Sequence, residues 1–385
     1  MKIVYVYSTL ATTGGTEKMI IEKANYLAEH FGYDVTIITC FQRKNEKNFF
    51  YTSEKVKQIN LEIPYFSQYK YSYPKRLWTK WKVNRLLRQS IYRSVKQEDP
   101  DILIGILRFK ANFVSTIKCK AKKIIECHVV RYDTIYDAGV KRSFPIRCVM
   151  KIYEYIYLRT IERNADVIVT LTEKDRLLWK RAKRTEVITN FSTMPVSKYS
   201  DCTQKRVIAA GHLSWVKGFG RLIEIWAIVS SKHPDWHLDI FGEGDMYDTL
   251  NTLIKIYKAK NVTFHNVTSD ISHEYANSSI CAVTSYYEGF SLVTLEAMEH
   301  GVPCVAFNCP FGPGDIINDA NCGFLVDNGD IRCFADRLCR LIEDPELRKY
   351  FSQNSIERTK LFDVDKIMNK WKVLYEDLCA DLNSM

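Results

Sequence analysis

The sequence predicts an α/β protein with two domains, each built around a parallel β-sheet. Short apolar segments typical of buried strands alternate along the chain with longer stretches of helical periodicity. A length of 385 residues suits two domains that each bury a core. The polar segment 191–205 lacks periodicity and reads as a linker between two such alternating regions. We therefore predict domains over residues 1–195 and 196–365.

The first domain begins with a strand, a glycine-containing loop and a helix. Residues 2–9 are apolar, Ala11–Thr16 is polar, and Glu17–Phe31 has helical periodicity before a second strand at Tyr33–Cys40. The loop contains Gly14-Gly15 but lacks the third glycine and the spacing of a dinucleotide fingerprint. The pair alone is therefore weak evidence of a phosphate loop.

Charge is distributed unevenly along the chain. Residues 1–200 hold 37 Lys and Arg against 19 Asp and Glu, whereas the remaining residues hold 18 against 26. This asymmetry predicts an anionic partner for the first half, such as a membrane surface, a phosphorylated acceptor or nucleic acid. The twelve cysteines are scattered, without zinc-type spacing. We expect a reduced, cytoplasmic location and no metal site.

The most specific pattern lies in residues 285–301, which read SYYEGFSLVTLEAMEHG and follow a strand at 280–284. Strand, turn, helix and a further strand form a βαβ unit, so the turn lies at the carboxyl end of a parallel sheet, where α/β proteins bind ligands. The helix start offers the backbone N–H groups of Phe290, Ser291 and Leu292 to an anion.

Two carboxylates, Glu288 and Glu296, bracket this anion site. Carboxylates accept hydrogen bonds from hydroxyl groups, so the combination suits a phosphate that carries a hydroxyl-rich sugar. In an isolated pair, Glu296 would more often be a solvated helix residue and Glu288 a turn residue. Gly289-Phe290 and the ending EAMEHGVPCVAF make the pattern more specific.

This combination resembles the E-x7-E signature of the retaining glycosyltransferases of family four, of the type that builds bacterial surface polysaccharides. The resemblance covers nearly the whole chain and is strongest from Val207 to Val326. It implies the GT-B fold, in which two Rossmann-like domains face a central cleft. It also implies that the final helix, predicted over 366–385, packs back on the first domain.

The resemblance implies that the second domain binds a nucleotide-sugar, expected to be a UDP-sugar. Glu288 would orient the transferred sugar, Glu296 would hold the ribose, and Lys217 would neutralise the diphosphate. His212 stands where the family has an arginine that holds the donor's phosphates. A neutral imidazole would hold a diphosphate more weakly than a guanidinium, and Arg221 is the candidate to compensate. The remaining donor-binding positions that the resemblance implies are Gly14, Gly15, Gly242, His265, Val267, Gly289, Phe290, Ser291 and Leu292.

His128 follows the strand Lys122–Glu126, and the family often has a histidine there. It is a candidate proton carrier or a hydrogen-bonding partner of the acceptor. A structural histidine satisfied by its neighbours is the alternative, and the sequence leaves both open.

Residues 63–97 contain nine Lys or Arg and no acidic residue, interleaved with aromatic residues. Such a mixture suits a lipid headgroup region, and single-stranded nucleic acid is met by similar chemistry. A second basic and aromatic stretch spans 141–163.

We therefore expect a retaining, metal-independent hexosyltransferase that needs no cofactor and is peripheral on the inner face of the cytoplasmic membrane. Its acceptor would be a saccharide or a lipid-linked saccharide in surface polysaccharide synthesis. The alternatives are a non-catalytic nucleotide-sugar-binding protein of the same fold, suggested by His212, and a nucleic-acid-binding protein. The complete donor-site pattern argues against nucleic acid as a partner.

Overall fold

A computed structural model of the chain describes residues 1–131, 144–268, 270–319 and 321–383. The chain divides into two compact units, which we call unit 1 (residues 1–188 with 368–385) and unit 2 (residues 189–367). The predicted boundary after residue 195 lies inside unit 2. The start of the second basic stretch, residues 141–143, lies outside the described residues.

Unit 1 contains a seven-stranded sheet in which every pairing is parallel, with the strand order β3-β2-β1-β4-β5-β6-β7. The strands are β1 (Lys2–Tyr7), β2 (Asp34–Thr39), β3 (Val56–Asn60), β4 (Ile102–Ile106), β5 (Lys122–Cys127), β6 (Val167–Thr170) and β7 (Thr185–Val187). Its helices are α1 (Gly15–Glu29), α2 (Tyr73–Glu98), α3 (Ala111–Val114), α4 (Phe144–Asn164) and α5 (Glu173–Arg176), with a 3₁₀ turn at Tyr65–Lys70 before α2.

Unit 2 contains a six-stranded parallel sheet with the order β10-β9-β8-β11-β12-β13. The strands are β8 (Arg206–Ala210), β9 (His237–Phe241), β10 (Val262–His265), β11 (Ile280–Val283), β12 (Cys304–Asn308) and β13 (Gly323–Asp327). Its helices are α6 (Phe219–Lys232), α7 (Tyr247–Tyr257), α8 (Ile271–Ala276), α9 (Leu292–Glu299), α10 (Pro313–Ile316), α11 (Ile331–Glu343) and α12 (Pro345–Thr359), and the chain ends with α13 (Val364–Asn383). The predicted fold class of two parallel-sheet α/β domains is confirmed.

Apolar strands in both sheets are buried on both faces, as parallel sheets covered by helices require. The central residues Ile3–Val6 of β1 are fully buried, and so are most residues of β4 and β12. Helix α2 contributes to the core of unit 1 with four buried residues spaced one turn apart, which are Val83, Leu87, Ile91 and Val95. The spacing of these four residues in the sequence predicts a core-facing stripe on a helix, and the structure confirms it.

The last part of α13 belongs to unit 1 and packs on its first strand and helix. The ammonium of Lys23 lies 3.4 Å from the ring centre of Trp371, and the Tyr375 hydroxyl lies 3.5 Å from that of Tyr5. Arg184 forms an ion pair with Asp377 in the same unit. The last part of α13 therefore packs in unit 1 against β1 and α1, the first strand and helix of the chain.

A buried ion pair lies beneath Trp371. The Nζ atom of Lys23 on α1 is 2.6 Å from Oε1 of Glu126 on β5, and both side chains are almost fully buried. Burial lowers the pKa of Lys23 to about 8, although Glu126 opposes that shift. Burial would raise the pKa of Glu126, but Lys23 and His128 outweigh it, so that pKa is lowered.

We expect Trp371→Ala to lower the free energy of unfolding of unit 1 by about 3–5 kcal/mol, because it removes a large buried side chain. Val373→Ala on the same helix is the control, since Val373 is exposed and its truncation should change stability by less than about 0.5 kcal/mol. Urea denaturation followed by circular dichroism measures both. Equal effects of the two substitutions would contradict the packing of α13 on unit 1.

Lys23→Met is expected to destabilise the protein by about 3–5 kcal/mol, because the carboxylate of Glu126 loses its cation in a buried position. Adding Glu126→Gln removes the second charge, and we expect the double variant to regain most of that loss. The same denaturation experiment provides the comparison. A double variant no more stable than Lys23→Met would show that the two charges are not coupled.

Candidate functional site

The candidate donor site lies at the carboxyl edge of the unit 2 sheet. Strands β8, β11 and β12 are neighbours there, so the loops that follow them come together although they are far apart in sequence. These loops are 211–218 after β8, 284–291 after β11 and 309–312 after β12. They carry most of the residues that the sequence predicted for the second domain.

Lys217 and Glu288, on the first two of these loops, are in direct contact. The Nζ atom of Lys217 is 2.7 Å from Oε1 of Glu288, and the hydroxyl of Ser285 donates to the same oxygen at 2.6 Å. The Lys217 side chain is 27% exposed and that of Glu288 is 11% exposed. The structure thus brings the predicted phosphate ligand and the predicted sugar ligand together, and it adds Ser285 as their partner.

Close backbone packing holds the loop that carries Lys217 against the end of β11. Gly218 has φ +67°, and a Cβ atom there would lie 2.0 Å from the carbonyl oxygen of Thr284. The hydroxyl of Thr284 donates to the carbonyl of Gly218 at 3.1 Å, and the Tyr286 N–H donates to the carbonyl of Val216 at 2.8 Å. Only glycine fits this position without strain.

Arg221, near the start of α6, contacts the loop that follows β11. Its guanidinium donates to the carbonyl of Thr284 and to Oδ1 of Asn328, and it lies 3.8 Å from the ring centre of Tyr286. Burial lowers its pKa. These contacts give Arg221 a structural role in shaping the site, whereas His212, at the family's arginine position, is exposed to solvent.

An aromatic pair at this edge was missed by the sequence reasoning. The rings of Trp215 and Tyr286 stack with their centres 3.9 Å apart and their planes 6° apart. Trp215 remains 37% exposed. An aromatic residue inside the glycine-bounded loop and another just before Glu288 were the available signals, but their stacking depends on the neighbouring positions of β8 and β11.

The helix that follows Glu288 begins as the sequence predicted, at the carboxyl end of β11. Gly289 lies in the turn, Phe290 is buried against Phe362 with ring centres 5.5 Å apart, and α9 starts at Leu292. Ser291 is the N-cap residue of this helix, with φ +72°, and its buried hydroxyl is 2.7 Å from that of Thr294 rather than bonded to a backbone N–H of the helix. The first N–H groups of α9 have no partner within the helix.

Glu296 lies in the buried interior of α9. Its carbonyl is 2.8 Å from Nδ1 of His300, and its carboxylate is close enough to Tyr275 to add to the effect of burial in raising the pKa of that hydroxyl. His300 also contacts the hydroxyl of Ser272 through Nε2 at 2.7 Å. Glu296 therefore lies among the polar side chains of Tyr275 and His300.

The resemblance implies that backbone groups near residues 265–267 hold the nucleobase, and this segment follows β10. The carbonyl of His265 accepts the N–H of Gly242 at 3.0 Å, which uses that carbonyl to extend the sheet. The His265 ring stacks on Phe241 and its Nε2 lies 3.1 Å from Oδ1 of Asp239. Val267 is exposed, so the backbone groups beyond His265 are the better candidates for contacts with a base.

In unit 1, the glycine loop leads into a helix. Helix α1 begins at Gly15, and Gly14 is its N-cap residue. A Cβ atom on Gly14 would lie 2.1 Å from Oε2 of Glu17, whose Oε1 accepts the hydroxyl of Tyr7 at 3.0 Å. The glycine pair therefore allows an acidic side chain to fold over the start of α1.

His128 lies just beyond β5, and its Nε2 is 3.0 Å from Oε2 of Glu126. Its Nδ1 is buried and has no hydrogen-bond partner among the described residues. An ionised Glu126 accepts a hydrogen bond from Nε2–H, so in the neutral imidazole the lone pair is at Nδ1. Glu126 therefore fixes the orientation of the imidazole, but only one of its two ring nitrogens is satisfied by the described neighbours.

Within the described part of the chain, no cluster of three or more His, Cys, Asp or Glu side chains could hold a metal ion. Across the same residues, no helix combines the length and the apolar composition needed to span a membrane.

The chain is similar to known glycosyltransferases. Residues 193–358 match the model of glycosyl transferases group 1. An uncharacterized glycosyltransferase of Haemophilus influenzae is 30% identical over 96% of this chain and 99% of its own length. The amylovoran biosynthesis glycosyltransferase AmsD of Erwinia amylovora is 26% identical over 96% and 98%.

Solved structures agree in fold. Sucrose-phosphate synthase of Thermosynechococcus elongatus aligns with a TM-score of 0.82 at 18% identity, covering 99% of this chain and 100% of its own. TarM of S. aureus, in a complex that contains UDP, aligns with a TM-score of 0.77 at 17% identity, covering 97% and 99%. The full-length match to the Haemophilus relative and the family model over unit 2 together show that the chain belongs to the group 1 glycosyltransferases.

Proposed function

We propose that this protein transfers a sugar from a UDP-sugar to a saccharide or lipid-linked saccharide acceptor, with retention of the anomeric configuration. The observation that carries the proposal is the pairing of Lys217 with Glu288 at the start of α9. A cation and a helix amino terminus favour the departing diphosphate, and a carboxylate beside them accepts hydrogen bonds from sugar hydroxyls.

The chemistry of this reaction depends mainly on stabilising the charge that develops on the leaving diphosphate. In the ligand-free pair, Glu288 already compensates the ammonium of Lys217. When the donor binds, Lys217 gains a phosphate partner and Glu288 becomes available to the sugar. We propose that no metal ion takes part, because the lysine and the helix dipole supply the positive potential.

Three comparisons support the donor and the pathway class. AmsD is named for amylovoran biosynthesis, TarM was crystallised with UDP and α-GlcNAc-glycerol, and HepE of Anabaena was crystallised with UDP-glucose. These names describe the relatives, and they make UDP-sugars the first donors to test. Surface polysaccharide assembly is the pathway that we propose for this chain.

We expect Glu288→Gln and Lys217→Ala each to lower turnover by about 100-fold or more, because each removes a charge that acts on the donor. The assay measures release of nucleoside diphosphate from UDP-, GDP- and ADP-sugars, with membrane lipid extract as the acceptor source and with or without chelator. Glu346→Gln and Lys232→Ala, at exposed positions away from the site, should retain wild-type turnover.

Near wild-type turnover in either site variant would refute the site assignment. Sensitivity to chelator would refute metal independence. Saturable donor binding without release, across all acceptor sources, would favour the non-catalytic nucleotide-sugar-binding protein instead. Failure to bind any donor would overturn the proposal as a whole.

We also propose that unit 1 binds the anionic inner surface of the cytoplasmic membrane. The 3₁₀ turn and α2 expose large aromatic side chains, and cations lie over several of them. Lys82 is 3.6 Å from the ring centre of Trp78, and Arg85 is 5.6 Å from that of Trp81. Helix α4 adds exposed apolar residues, which are Ile146, Val149, Ile152, Tyr153, Tyr155 and Ile156. Aromatic rings paired with cations suit the lipid headgroup region.

Trp78→Ala combined with Trp81→Ala is expected to weaken binding to phosphatidylglycerol vesicles by about tenfold or more, because both indoles are more than half exposed and lose their apolar burial in the interface. Vesicle sedimentation provides the measurement. Tyr350→Ala, an exposed aromatic position in unit 2, is the control and should bind normally. Unchanged sedimentation of the double variant would refute the proposed membrane surface.

A further inference from the structure

A row of polar and basic side chains on α2 faces the loop after β4. Lys80, Asn84 and Arg88 are spaced four residues apart, so they lie on one side of the helix. Lys110, in the loop at the carboxyl end of β4, donates from Nζ to Oδ1 of Asn84 at 2.9 Å. The contact brings a fourth polar group, carried by the sheet, onto this row.

The loop that carries Lys110 has an unusual backbone. Arg108 has φ +72° and Lys110 has φ +51°, and neither is glycine. Left-handed conformations of such residues are uncommon, and they concentrate at functional sites. This loop also leaves the carboxyl edge of a parallel sheet, the edge at which α/β proteins bind ligands.

The charges near Lys110 repel one another. Burial lowers the pKa of Lys110, and the charges of Arg88 and Lys80 lower it further, whereas the thiol of Cys40 opposes them. Residues 63–97, which include all of α2 except its last residue, contain no acidic residue. Cations held close together at a ligand-binding edge favour an anion there.

Aromatic rings continue this surface beside the cations. Phe109, next to Lys110, makes edge contacts with Tyr7 and Phe41 at ring-centre distances of 5.7 Å and 5.5 Å. Phe41 stacks on Tyr65 at 4.8 Å, and the Lys110 ammonium lies 5.7 Å from the Tyr65 ring centre. Tyr7, Phe41 and Phe109 lie at or just beyond the carboxyl ends of β1, β2 and β4, and Tyr65 begins the 3₁₀ turn that follows β3. Aromatic faces offer apolar area that suits the C–H face of a sugar ring.

We propose that Lys80, Arg88 and Lys110 bind a phosphate group of the acceptor, and that its saccharide packs on the neighbouring rings of Phe41, Tyr65 and Phe109. Asn84 positions Lys110 in this arrangement. The ligand class is thus a phosphate-bearing saccharide, either free or attached to a lipid. The inference rests on the proposed function for the existence of an acceptor, but it concerns residues of unit 1 alone.

The test is a ³¹P NMR titration of the full-length protein with N-acetylglucosamine 1-phosphate, without any nucleotide-sugar. Lys110→Gln and Arg88→Gln are each expected to weaken binding by about tenfold, because each removes a charge-assisted hydrogen bond to the phosphate. Arg93→Gln is the matched control, since it removes one exposed positive charge from a different side of the same helix. We expect it to change binding less than about twofold.

Four further experiments make the result specific. Lys217→Ala should leave this binding unchanged, which separates it from the donor site of unit 2. Inorganic phosphate should bind at least about tenfold more weakly than the sugar phosphate, and N-acetylglucosamine alone should not compete. Vesicles carrying a lipid-linked sugar phosphate distinguish the membrane-attached source from the soluble one, and either source supports the site.

Equal losses in Arg88→Gln and Arg93→Gln would overturn the proposal, because they would reflect net charge alone. Equal affinity for inorganic phosphate and the sugar phosphate would overturn the saccharide contact, and tighter competition by a ten-nucleotide RNA would assign the surface to nucleic acid. The titration involves no donor turnover. Failure of the transferase assay and failure of this site are therefore observed separately.

Discussion

Parallel strand pairing is the constraint on which both units depend. Because every pairing in the two sheets is parallel, the loops that follow the strands all leave at one edge, and the sheet itself cannot satisfy their polar groups. In unit 2 this edge places Lys217 against Glu288, 71 residues away in sequence. In unit 1 the same geometry places Lys110 beside the row of polar residues on α2. The strand order therefore determines where each candidate site lies, and a few loop residues provide its charged side chains.

The two units differ in how they balance their charges. In unit 2 the site lysine already has a carboxylate partner in the ligand-free protein, which keeps the cost of holding a cation near buried groups low. In unit 1 the cations around Lys110 act against one another, in a half of the chain that holds 37 basic and 19 acidic residues. The proposed exchange of partners, in which Lys217 leaves Glu288 for a phosphate, suits a donor that binds and leaves in every catalytic cycle. A cluster of cations that repel one another suits a surface that attracts a large anionic acceptor.

The sequence was sufficient for features that depend on local order. The strand, turn and helix around Glu288, the loop of Lys217 and the core-facing stripe of α2 follow from periodicity, glycines and helix-start signals, and the structure contains all three. The sequence was not sufficient to predict contacts between distant segments. The ion pair of Lys23 and Glu126 joins residues 103 positions apart, and the stack of Trp215 on Tyr286 requires β8 and β11 to be neighbours. Neither pairing leaves a periodic signal, because each is decided by strand order.

Arg221 illustrates why a residue type and its position do not fix a role. Its charge and its place at the start of α6 made it a candidate to replace the arginine that the family has at the position of His212. In the structure its guanidinium binds the carbonyl of Thr284 and lies against Tyr286 and Phe307, where burial lowers its pKa. The same arginine thus holds the loop of Glu288 in place. In the donor site that we propose, Lys217 is the cationic side chain that binds the diphosphate, and the amino terminus of α9 supplies the rest of the positive potential. The geometry of the turn that Arg221 stabilises then matters to the leaving group as much as the charge of any side chain.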